Sequence, residues 1–278
     1  MTQIKNNINT YADLTAYNAD LNKDYPNISY IQGTDEVKWY KYDPDHIVAV
    51  YNVTSTSEAT KLLYTNANIT YQIIDGVKQD TVQTTYTFDT LGEHTVKYKL
   101  SGTSIAYTAF DDCKSLISIA FPNTITYIGG FAFRFCDNLT KVIIPDIASW
   151  CKVTYDNIAY NKPLEGRYLY RNNETMVTNL IIPNGVTSIG KSAFESCRSL
   201  TSVTIPSSVT EIGSDSFSGI NNVTTITVEA TTPPTITQRT FWNLRASKIY
   251  VPAESVDAYK AAANWSKYAS IIQAIPTT

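Results

Sequence analysis

The chain has 278 residues, with 22 Lys+Arg against 25 Asp+Glu, a formal net charge of −3 and only 17% charged residues. That is more chain than one compact domain usually needs, and a near-neutral balance with no basic stripe argues against nucleic acid or an anionic membrane surface as partner. No run approaches the roughly 18 apolar residues of a membrane span, so no membrane insertion is expected.

The chain opens Met1-Thr2-Gln3-Ile4-Lys5-Asn6-Asn7, which lacks the charged-then-apolar pattern of a secretory leader. Residues 10–24 read as one short helix, with Thr10 as N-cap, Asp13 at the third helical position and Pro26 as the stop. Residues 28–31 and 37–40 then read as a hairpin around Gly33-Thr34-Asp35. Tyr30, Trp39, Tyr40 and Tyr42 make this entry a candidate for sugar stacking, against the plainer role of core for an N-terminal module. Residues 1–45 are taken as one helix-and-hairpin segment.

Residues 46–100 have an all-β texture. Residues 47–51, 67–74, 84–88 and 95–98 are strand candidates, rich in β-branched and aromatic side chains. Asp75-Gly76 is a hairpin signal, and Leu91-Gly92-Glu93-His94 reads as a further turn. The expectation is a small β, sandwich-like module that covers the first rung of a repeat array beginning near residue 101, since an open rung is a sticky edge.

From residue 101 a block of sequence recurs. Ala109-Phe110, Ala132-Phe133 and Ala193-Phe194 are each followed by Cys (113, 136, 197), then Leu (116, 139, 200), then Phe121-Pro122, Ile144-Pro145 and Ile205-Pro206. Pro122 and Pro145 lie 23 residues apart, as do Pro183 and Pro206. A fixed period of this size predicts a stacked solenoid, because one unit cannot bury its own apolar face. Each unit gives a short strand closed by proline, then a turn at glycine, as in Ile212-Gly213. Segments ending near 99, 122, 145, 183, 206, 229 and 252 are the predicted rungs, with Phe110, Phe133, Phe194 and Phe217 as a core column. The step from Pro145 to Pro183 is long, which places an insertion at about 146–171. Residues 253–278 close the solenoid, with a capping helix over 254–268 on whose inner face lie Ala258, Tyr259, Ala262 and Trp265.

The pattern Ile189-Gly190…Ala193-Phe194…Cys197…Leu200…Val203…Ile205-Pro206 resembles the BspA-type leucine-rich repeats of bacterial surface proteins. The ending, Pro233-Pro234, Ile249-Tyr250-Val251-Pro252 and Trp265, is similar to that family too, as is the insertion with Trp150-Cys151-Lys152 and Pro163-Leu164. The resemblance covers about residues 93–276. It implies a leucine-rich-repeat solenoid, mainly β, with a surface-exposed, ligand-recognising habit, and it carries over no catalytic residue.

No reactive constellation stands out. His94 has Glu93 and Ser101 near it only in sequence, Asp111-Asp112 and Asp43-Pro44-Asp45 do not match a calcium loop, and His46 and His94 lie far from any Cys-x-x-Cys spacing. Cys113, Cys136 and Cys197 share one repeat column and read as buried fillers, with a Cys113–Cys136 bridge sterically conceivable. No metal, cofactor or catalytic residue is expected. The remaining candidate is the ladder face pointing away from the core: Ser118, Lys141, Asn179, Ser202, Thr225 and Lys248 in one column, Ile143, Ile181, Thr204 and Tyr250 in the next. Apolar residues there, where solvent is expected, predict a surface for a protein or glycan ligand, host-derived ligands included. The reading is a non-catalytic adhesion module at the cell surface or outside the cell. The alternative is a structural or receptor-binding part of a phage particle, attached through residues 1–45.

Overall fold

The computed structural model describes residues 43–156, 164–171 and 175–276. The predicted helix over 10–24, the hairpin over 28–40 and the aromatic entry lie outside the described residues.

The outer wall is made of two sheets. In the first, seven strands run in the order Tyr168–Arg171, Lys141–Ile144, Leu116–Ala120, Ile47–Val53, Gly92–Leu100, Ile69–Ile74, Val77–Lys78. In the second, five parallel strands stand side by side: Asn179–Ile181, Ser202–Ile205, Thr225–Val228, Lys248–Val251, Ile272–Ala274. The registers Ser118↔Lys141, Asn179↔Ser202, Ser202↔Thr225, Thr225↔Lys248 and Ile249↔Ile272 are all one 23-residue period. Two-residue strands such as Tyr127–Ile128 and Glu211–Ile212 form short parallel ladders at the glycine turns. Side chains cannot fit at those turns. A Cβ on Gly129 would lie 2.6 Å from the Tyr107 backbone nitrogen, and one on Gly190 2.5 Å from the Val153 carbonyl oxygen. This close approach is why the Ile-Gly pair recurs.

One apolar core runs the length of the stack, from Ile47 to Ile272. The phenylalanine column is its spine. Phe110 and Phe133 are stacked with centroids 5.2 Å apart, and Phe194, Phe217 and Phe241 stack at 5.6 Å intervals. Phe241 belongs to this column although its block, Thr240-Phe241-Trp242, lacks the Ala-Phe signature. In the insertion Trp150 is buried in the core. Its ring sits 5.3 Å from Phe121, and its Nε1 donates to the Ala193 carbonyl at 2.8 Å.

The segment before the repeats holds a β module built on the first sheet. Asp75 (φ 47) and Gly76 (φ 86) make the expected two-residue turn between Ile69–Ile74 and Val77–Lys78. The small pair Thr60–Lys61 and Thr85–Tyr86 closes the core side, where Tyr51 Oη donates to the Leu62 carbonyl at 2.6 Å. Two expectations are corrected. The segment ending near 99 is a strand but not a solenoid rung: it is antiparallel to both Ile47–Val53 and Ile69–Ile74, and within this sheet parallel pairing starts with Leu116–Ala120. Glu93 and His94 are extended rather than turning, because they pair with Asn52 and Tyr51.

The insertion and the cap also differ from expectation. Tyr168–Arg171 is a further rung, parallel to Lys141–Ile144 and with Leu169 buried. At the C-terminus the α-helix covers only Val256–Ala261, because Ala262 is extended (φ −68, ψ 148). The face predicted for a longer helix is therefore broken, and Ala258 is exposed. Tyr259 and Trp265 do close the core, anchored to the carbonyls of Ala230 and Pro234 at 2.8 Å each. The chain then adds one more rung, Ile272–Ala274.

Candidate recognition surface

The second sheet presents the surface that the alternation predicts. Leu180, Val203, Ile205, Ile226, Val228, Ile249 and Val251 turn inward and are buried. Asn179, Ser202, Thr225 and Lys248 form one outward column, and Ile181, Thr204, Thr227 and Tyr250 form the next. Parallel pairing sets these side chains on a grid with a rung spacing of about 4.8 Å. Ser202 Oγ donates to Asn179 Oδ1 at 2.7 Å, and Lys248 Nζ stands 5.8 Å from the centre of the Tyr250 ring. Ile181 is 55% exposed. Hydroxyls and an amide thus lie between an apolar end and a cation–aromatic end. Gln273, opposite Tyr250 on the last strand, extends the second column. Its signal in the sequence is Ile272, one period after Ile249.

The other three candidates stand elsewhere. Ser118, Lys141 and Ile143 belong to the first sheet, where Lys141 and Ile143 pair with Tyr168 and Tyr170, not with Asn179 and Ile181. The ten residues are therefore not one face, because the insertion contributes a strand of its own. Two of the three are not accessible. Ile143 is 0% exposed, packed with Val48, Ala120 and Tyr170 in a small second apolar cluster, and Ser118 is buried with no hydrogen-bond partner for its hydroxyl among the described residues. The strand Ile47–Val53 causes this, since it lays Val48 and Val50 beside Ala120 and Ser118. Lys141 is half-buried, with Nζ 4.8 Å from the Tyr170 ring.

The polar clusters have structural partners. His94 Nδ1 lies 2.6 Å from Asp75 Oδ2 and its Nε2 2.9 Å from the Thr90 carbonyl. Its Nε2 also lies 3.3 Å from Thr90 Oγ1, so the ring is held between Asp75 and Thr90. Asp43 accepts from Lys97 at 2.9 Å and contacts His46 at 3.0 Å. Burial raises the Asp43 carboxyl, but these hydrogen bonds outweigh it and leave the group below its ordinary range. Asp111 is clamped by Arg134, and Asp112 meets Lys61 and Lys114. Among the described residues no group of three metal-ligating side chains occurs. All four cysteines are buried and free. Burial pushes the Cys136 and Cys151 thiols up to about 12 and raises those of Cys113 and Cys197, which suits fillers rather than nucleophiles.

A stacked series of short parallel strands, proline-closed and turned at glycine over a phenylalanine spine, defines a leucine-rich-repeat solenoid. Residues 81–160 and 166–266 match the model of the BspA type leucine rich repeat region, in six copies, and the chain belongs to that family. Among solved structures it is similar to a leucine-rich repeat protein from Bacteroides ovatus, with 22% identity over 56% of this chain and 44% of the other and a TM-score of 0.31. It is also similar to a leucine-rich cell surface protein from Faecalibacterium prausnitzii, with 23% identity over 65% and 57% and a TM-score of 0.26. The chain thus spans 44% and 57% of the lengths of those two proteins. No curated protein matches it.

Proposed function

We propose that this chain is a non-catalytic recognition module, displayed at a bacterial surface or secreted, that binds a protein or glycan through the outward face of its second sheet. The observation that carries the reading is the grid from Asn179 to Tyr250. Parallel pairing holds it in register over four rungs, with uncharged polar side chains between an exposed isoleucine at one end and a lysine–tyrosine pair at the other. A grid held in this way loses little conformational entropy on binding, and its spacing selects ligands that can meet several rungs at once. Membership of the repeat family supports the surface location. The test is a binding screen of the protein against a glycan array and a set of extracellular-matrix proteins, with Ile181→Ser/Tyr250→Ser alongside. Saturable binding that the double variant loses supports the reading. Binding that it retains moves the site off this face. Turnover of a glycan or peptide that survives repurification would replace the non-catalytic assignment.

A further inference from the structure

The repeats centred on Phe110, Phe133, Phe194 and Phe217 make their inner turn with two residues in the left-handed region, two before and two after the core phenylalanine. Around Phe110, Phe194 and Phe217 these are small or polar: Thr108 and Asp112, Ser192 and Ser196, Asp215 and Gly219. Around Phe133 both are phenylalanine, Phe131 (φ 55) and Phe135 (φ 56). A bulky side chain is disfavoured in this conformation, where glycine and asparagine are tolerated best. Phe135 is also 55% exposed, so core burial does not offset the strain.

The two rings flank one guanidinium. Arg134 Cζ lies 4.8 Å from the centre of Phe131 and 5.1 Å from that of Phe135. Tyr107, 48% exposed, meets Phe131 edge-on at 5.5 Å. Arg134 gives Nε and Nη2 to the buried Asp111 at 3.0 and 2.5 Å, and its Nη1 has no acceptor among the described residues. The ion pair itself is architecture. An Arg–Asp pair recurs further along the stack, where Arg239 holds Asp215 from two residues before the core phenylalanine, 5.9 Å from the Trp242 ring, and the left-handed position after Phe241 is an asparagine, Asn243. What the general plan of the repeat does not require is the pair of strained phenylalanines. Strain that the fold does not need points to a function.

We propose that Tyr107, Phe131, Arg134 and Phe135 form a second binding surface, on the turn edge of the solenoid, for a protein segment that presents an apolar side chain next to a carboxylate. The rings offer the apolar contact, and the free Nη1 of Arg134 offers a charge-assisted hydrogen bond to the carboxylate. Asp111 already neutralises one edge of the guanidinium, so the patch selects a single acidic group rather than a polyanion. Phe131 and Phe135 have no hydrogen-bonding group and only the Tyr107 hydroxyl could meet a sugar hydroxyl, so a patch that is mostly apolar around one cation favours a protein side chain over a sugar. Aromatic residues and arginine are also the types enriched at the energetic centres of protein interfaces.

The test is selection of a displayed random 12-residue peptide library on the whole protein, then affinity measurement of the enriched peptides. The variants are Phe135→Asn and, as a control on the other surface, Ile181→Ser/Tyr250→Ser. The expected consensus places an apolar residue beside Asp or Glu. Phe135→Asn weakens binding at least tenfold while its melting temperature equals or exceeds that of the parent. Changing the peptide carboxylate to the amide weakens it comparably, and the sheet-face variant binds like the parent. No enriched consensus, a consensus without a carboxylate, or equal binding to Phe135→Asn overturns the proposal. A glycan whose binding is lost in Phe135→Asn overturns the choice of a protein partner. Loss in the sheet-face variant alone would assign the peptides to the other surface.

Discussion

Phe217→Ala removes the middle ring of a three-ring stack. Phe217 is 0% exposed, and its ring centre lies 5.6 Å from both Phe194 and Phe241. Losing a buried phenylalanine costs about 3–5 kcal/mol. Each aromatic contact adds about 0.5–1.5 kcal/mol beyond burial, and two are lost here, so the upper half of that range applies, about 4 kcal/mol. In a structure of this size each kcal/mol moves the melting temperature by about 2–4 °C, giving a fall of about 8–16 °C. Urea unfolding monitored by circular dichroism measures the loss. Hydrogen exchange should show it spreading into the strands Ser202–Ile205 and Lys248–Val251, because rungs share interfaces. A loss below about 1 kcal/mol, or one confined to residues 211–223, would refute the spine as the source of stability.

Isoleucines at equivalent ladder positions should behave differently. Ile143→Ser should cost about 2–4 kcal/mol in chemical denaturation, since it empties a buried site and leaves a hydroxyl there, whereas exposed Ile181→Ser should stay within about 0.5 kcal/mol. Thiol titration at pH 8 should find all four cysteines slow in the native protein and all four reactive after unfolding without reductant. Asp43 has a folded pKa below its unfolded value, so its contribution is present above the unfolded carboxylate range, near pH 4, and is lost as pH falls through the folded pKa. Asp43→Asn should therefore be less stable than the parent at pH 7, with the gap closing as pH falls through the folded pKa. A constant gap between the two melting curves would show that the carboxylate is not held by Lys97 and His46.

The solenoid was legible because its residues are fixed by contact with their own equivalents. Phe194, Cys197, Leu200, Val203 and Ile205 each pack on the next rung, so the spacing in sequence is the spacing in space. The glycines at 129, 190 and 213 were legible for the same reason, since neighbouring backbone fills the space of a side chain. Strand direction was not. Residues 95–98 alternate as any strand does, and only the hairpin partners Ile47–Val53 and Ile69–Ile74 make them antiparallel. Tyr168–Arg171 carries one inward apolar residue, Leu169, and no closing proline, so it lacked the signature of a rung. At the candidate surface, alternation correctly separated inward from outward side chains, but outward did not mean exposed. Ile143 and Ser118 are buried because residues from outside the repeat, Val48 and Val50, come to lie beside them. The left-handed positions gave no signal, because threonine, serine and aspartate there look like ordinary turn residues.

The central claim is recognition through the second sheet, and one measurement addresses it directly. The parent, Ile181→Ser/Tyr250→Ser and Phe135→Asn should be compared by surface plasmon resonance on each glycan or matrix protein that the parent binds in the screen. Loss of saturable binding in the sheet-face variant, at unchanged melting temperature and with binding retained by Phe135→Asn, is the predicted result. Equal affinity for the parent and the sheet-face variant, or no saturable ligand for the parent at all, would contradict it.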